Sequence, residues 1–139
     1  MAGNTTPIFS KVADWQWITG ITTADTAKNL SAATTSYLVF TADATNGGYV
    51  KKIRVRHLGT NVATVMRVFI NNGSTVATLA NSILFDELGV GANTVSETSA
   101  STVYELPINE ALAPGYKIYV TIGTAVAAGL AATAVAGKY

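Results

Sequence analysis

The chain has no cysteine, one histidine and three prolines, and only 12% of its 139 residues are charged. Without cysteine there is no disulfide, no thiol nucleophile and no thiolate metal site, a pattern that fits a cytosolic product. The single histidine, His57, cannot belong to a multi-histidine metal centre within one chain, and after Arg56 at a strand end it reads as a lone exposed or hydrogen-bonded imidazole. The charged fraction is about half the ~25% usual for soluble domains, whereas the hydrophobic fraction is a full 49%. The surface must therefore be built largely from Thr, Ser, Asn, Gly and Ala, which let two protein surfaces approach closely. That favours a chain partly covered by copies of itself or by another protein, although a plain Thr/Ser-rich β domain has a similar composition. A net charge of +1 argues against nucleic acid or anionic lipid as the main partner.

Other absences narrow the chemistry. Asp86 and Glu87 are adjacent, so on a strand they point to opposite faces and cannot act as a pair across a bond. Gly89 and Gly91 lack the third glycine and the following helix of a dinucleotide site, and no Walker-type lysine motif occurs. Asp43, Thr45 and Asn46 offer oxygens, but one carboxylate does not make a calcium loop, and an Asx turn is expected there. No catalytic residue, cofactor or metal is expected. Met1 to Asp14 lacks a basic start followed by an apolar run, so no signal peptide is expected. Ile118 to Gly137 is free of charge, but it is built from Ala, Thr and Gly and opens with strand-like alternation, so no membrane span is expected.

What is present is strand pattern. In GYVKKIRVRHLGTNVATVMRVFINNG (Gly48 to Gly73), Val50, Ile53 and Val55 alternate with Lys52, Arg54 and Arg56. After a break at Leu58 to Asn61, Met66, Val68 and Ile70 alternate with Val65, Arg67 and Phe69. The spacing predicts a central antiparallel hairpin, with Lys51, Lys52, Arg54, Arg56 and Arg67 forming a solvated basic stripe. Upstream, residues 1–14 read as an extended arm and residues 15–139 as one domain. Trp15 and Trp17 fall on one face of a first strand running to about Thr23, with Gly20 as a possible bulge. A core anchor is the default reading, and contact with a sugar or partner subunit is the alternative. Ser36 to Ala42 is nearly all apolar and predicts a strand buried on both faces. Further strands are expected at Ser82 to Gly89, Val103 to Ile108, Tyr116 to Ile122 and Ala127 to Ala136, with a Pro114-Gly115 turn before the third of these. The fold class is all-β, an antiparallel β-sandwich or jelly-roll-like arrangement of about eight strands with an extended N-terminal arm.

The segments KKIRVRH and LGTNVATVMRVFINNGS (Leu58 to Ser74), the terminal LAPGYKIYVTIGTAVAAGLAATAVAGKY and the upstream TTADTAKNL together resemble small virion structural proteins of tailed bacteriophages and prophages, of the capsid decoration or cement type. The likeness runs from about Ile21 onward. It implies an all-β module, commonly a homotrimer, made in the host cytoplasm and bound to the major capsid protein on the outside of the head. Ile8, Phe9, Trp15 and Trp17 are then the candidate inter-subunit contacts, with the arm reaching over a neighbour. A tail-tube, tail-fibre or receptor-binding module, a carbohydrate-binding domain and, last, a hydrolase stand as alternatives.

Overall fold

The computed structural model describes residues 10–139. Strands form where β-branched and aromatic residues alternate with polar ones, and they stop at turn residues. Among the described residues they are β1 (Val12–Ala13), β2 (Gln16–Ile21), β3 (Tyr37–Thr41), β4 (Gly48–His57), β5 (Thr64–Asn71), β6 (Ser82–Val90), β7 (Tyr104–Leu112), β8 (Lys117–Ile122) and β9 (Leu130–Lys138). A short 3-10 turn, Leu79–Asn81, precedes β6. The expectation of about eight strands is thus corrected to nine. The extra one lies in the arm: Val12 and Ala13 pair with Lys138 and Gly137 in the same register that Gln16 continues opposite Ala134. A backbone bond from Asp14 to the Ala136 carbonyl spans the gap between β1 and β2.

The strands form two antiparallel sheets. The first is five-stranded, in the order β1-β9-β4-β7 with β2 beside β1 on β9, and the second is four-stranded, in the order β3-β8-β5-β6. The pairings are nested: β5 with β6, β4 with β7, β3 with β8 and β2 with β9. It is as if one long hairpin with its tip at residues 72–81 had been rolled over so that β9 also meets β4 and β8 also meets β5.

This topology overturns the expected hairpin of β4 and β5, which lie in different sheets. The segment between them contains no positive-φ residue, so it lacks the tight in-plane reversal of a short hairpin and carries the chain across the core instead. Val50, Ile53 and Val55 from the first sheet and Met66, Val68, Val120 and Ile122 from the second close on one another in a single apolar cluster. Each such fully buried side chain contributes roughly 1.5–3 kcal/mol. Ala132, Ala134 and Ala136 of β9 join that cluster.

The strand expected to be buried on both faces is buried on one. β3 is an edge strand, and Leu38 is 41% exposed, whereas the adjacent Val39 and Phe40 are both buried because a register shift falls between Leu38 and Phe40. Pro107 sits on β7, the other edge of the first sheet, where a missing N–H costs no ladder bond on the open side. The uncharged stretch 118–137 is divided between β8 and β9. No helix among the described residues is long and apolar enough to cross a membrane.

Candidate functional site

Both tryptophans stand on the outside of the molecule. Trp17 is 67% exposed and Trp15 58%, so neither is a core anchor. The reason is register: Gln16 and Ile18 face inward opposite Ala134 and Ala132, which belong to the core, so Trp17, opposite Thr133, points outward. Ile8 and Phe9, the other two candidate contacts, lie outside the described residues.

Across the outer face of the first sheet the register sets one row, Trp17, Thr133, Arg54 and Glu105. A parallel row holds Val135, Lys52 and Pro107, and Arg56 lies opposite Ala131. β9 therefore supplies a floor of small side chains. The tryptophans of the β2 edge rise on one side of it, and the cations of β4 rise on the other. Since β2 and β4 each lie about 4.8 Å from β9, these two walls stand roughly 10 Å apart.

The basic stripe is smaller than its sequence suggests. Arg67 is on β5 in the other sheet, only 8% exposed, and its Nε donates to Glu87 at 2.8 Å. On the first sheet, the Lys52 Nζ donates to Glu105 at 2.9 Å and the Arg54 Nε lies 3.9 Å from the same carboxylate. The bond from Lys52 holds the Glu105 carboxyl below the ordinary glutamate range, and the charges of Lys52, Arg54 and Lys51 act in the same sense.

The second sheet is covered at its centre, while its edge strands leave Leu38, Ile83 and Phe85 exposed. Its cross-strand row is apolar, Leu38, Tyr119, Phe69 and Leu84, and Phe69 and Thr121 have no exposed surface.

His57, Asp25 and Asp43 are each engaged in structural hydrogen bonds. His57 is buried, with Nε2 donating to the Gly91 carbonyl at 2.9 Å and Nδ1 accepting from Asn61 Nδ2 at 3.1 Å. Asn61 also donates to the Gly129 carbonyl and accepts from the Ala128 N–H, each at 2.8 Å. Asn61 thereby fastens the β4–β5 connection to the strand end at His57 and to the β8–β9 loop. Asp25 is buried too: its Oδ1 accepts from Ala27 N–H, and its Oδ2 from the Thr34 N–H and hydroxyl and from the Thr35 N–H. The bond from Ala27 is the largest influence, and with those from Thr35 and Thr34 it holds this carboxyl below the usual aspartate range against the opposing effect of burial. Asp43 forms the expected Asx turn, accepting from the Thr45 and Asn46 N–H groups. Among the described residues no group of three or more His, Asp or Glu side chains is placed to hold a metal.

Asn61 and Asp25 escape a search for chemistry in the sequence, because isolated polar residues beside Gly or Thr look like any loop. The one available signal is local: both are Asx residues in turn-rich stretches. In comparisons with protein-family models, curated proteins and solved structures, nothing matches the chain.

Proposed function

We propose that this chain is a bacteriophage virion structural protein of the capsid decoration type, with no catalytic activity. Its two sheets are read as a jelly-roll sandwich. The nested pairing of β2 with β9, β3 with β8, β4 with β7 and β5 with β6 supports that reading, with β1 as an extension of β2. Jelly rolls recur in viral capsids and in lectins, so the fold alone is an argument by analogy.

The observation that carries the reading is the open outer face of the first sheet, with Trp15 and Trp17 more than half exposed beside Lys52, Arg54 and Arg56. Large exposed aromatics next to cations are the residues that dominate protein interfaces. The mechanism is mechanical. Each copy fits against the major capsid protein and against its own copies, a homotrimer by the resemblance, and binding only the expanded shell stabilises that state by mass action. The test is reconstitution: heads lacking the chain should release DNA at a lower temperature than heads to which purified chain is added back. No difference between the two would remove the proposal. The same tryptophan face also favours a second reading, a glycan-binding virion module. Saturable hits on a glycan array that vanish in Trp17→Ala would support it.

A further inference from the structure

We infer that the trough on the outer face of the first sheet binds an acidic protein surface through its aromatic wall and its cationic rail. The inference rests on the structural reading above and specifies the chemistry of the partner. Three features carry it. The walls differ in kind: the indole of Trp17 on β2 with that of Trp15 just before the strand, and Lys52, Arg54 and Arg56 on β4, separated by Ala131, Thr133 and Val135. A floor of small residues lets a partner chain sink between them. The cations also outnumber the acids, since β4 carries Lys51, Lys52, Arg54 and Arg56 while the adjoining β7 carries Glu105 and Glu110.

Charge decides among the occupants. A second copy docked by the same face would bring two sets of cations together, and like-charge juxtaposition disfavours that pairing. Single-stranded nucleic acid would stack on indoles, but it needs a longer basic track than this. A surface with Asp or Glu flanked by apolar side chains meets both walls at once: carboxylates on the guanidinium groups of Arg54 and Arg56, apolar groups on the indoles.

The face has a built-in reporter, because Trp15 and Trp17 are the two tryptophans of the chain. The experiment titrates purified full-length chain with poly-L-glutamate and, separately, with an oligothymidine of equal charge, following tryptophan emission and acrylamide quenching. The expected result is a saturable blue shift with reduced quenching on polyglutamate, weaker on the oligonucleotide. In the Arg54→Glu/Arg56→Glu variant, checked for fold by circular dichroism, the apparent affinity should fall about ten-fold or more, as for loss of interface charges. An unchanged spectrum with polyglutamate, an unchanged affinity in the variant, or tighter binding to the oligonucleotide overturns the inference. Stripped capsid shells separate the two claims. Wild-type chain that never binds shells removes the structural role and leaves the trough to be judged by the titration, whereas a charge-reversed variant that occupies shells like wild type removes the inference alone.

Discussion

Asn61 joins three pieces of chain with one carboxamide. Its oxygen accepts from Ala128 and its nitrogen donates to Gly129 and to the His57 ring, all in a buried setting. Removing it leaves the Ala128 N–H and a ring nitrogen without partners, while the Gly129 carbonyl keeps the Leu58 N–H, so Asn61→Ala should cost about 3 kcal/mol, since each orphaned buried group costs roughly 1–3 kcal/mol. Urea unfolding would measure it. Asp25 makes a prediction about pH. A carboxyl held below its unfolded value adds stability that is complete above the unfolded pKa and is lost as pH falls through the folded one. The wild type should therefore lose stability on acidification below about pH 4, and Asp25→Asn should be less stable at neutral pH with a flatter acid limb. Thermal melts of both proteins between pH 7 and pH 3 would show it.

At the scale of elements, two turns of similar backbone geometry separate strain from crowding. Gly47, before β4, and Gly115, before β8, both have positive φ, +71° and +78°. A Cβ at Gly115 would meet nothing within 4 Å, whereas at Gly47 it would lie 2.5 Å from the Leu112 carbonyl oxygen. Gly115→Ala should therefore cost only about 1 kcal/mol, the conformational penalty, and Gly47→Ala clearly more, because backbone must move as well. Equilibrium unfolding of the pair would test the ordering. Strands themselves were legible in the sequence. The alternation in β4 correctly assigned Val50, Ile53 and Val55 to the core, and the Pro114-Gly115 pair correctly placed a turn. Partners were not legible. Alternation tells which side of a strand is buried but not which strand lies beside it, so the sequence predicts a hairpin of β4 and β5, whereas the two face each other across the core. The same limit applies to the tryptophans, since the outward direction of Trp17 follows from the register of β2 on β9, at the far end of the chain.

For the whole molecule, the low charge content found an outlet in one place. Much of the described surface is Thr, Ser, Asn and Ala, and the outer face of the first sheet sets Trp17 in one row with Arg54. The structural role we propose asks no more of the fold than a scaffold behind that face, and the nested pairing of β2 to β9 is compatible with it. The most direct measurement of this role is electron microscopy of intact virions carrying a labelled copy of the chain. The account predicts label repeated over the outer surface of the head, at lattice positions between capsomers. Label confined to the tail, or particles that carry none, would contradict it.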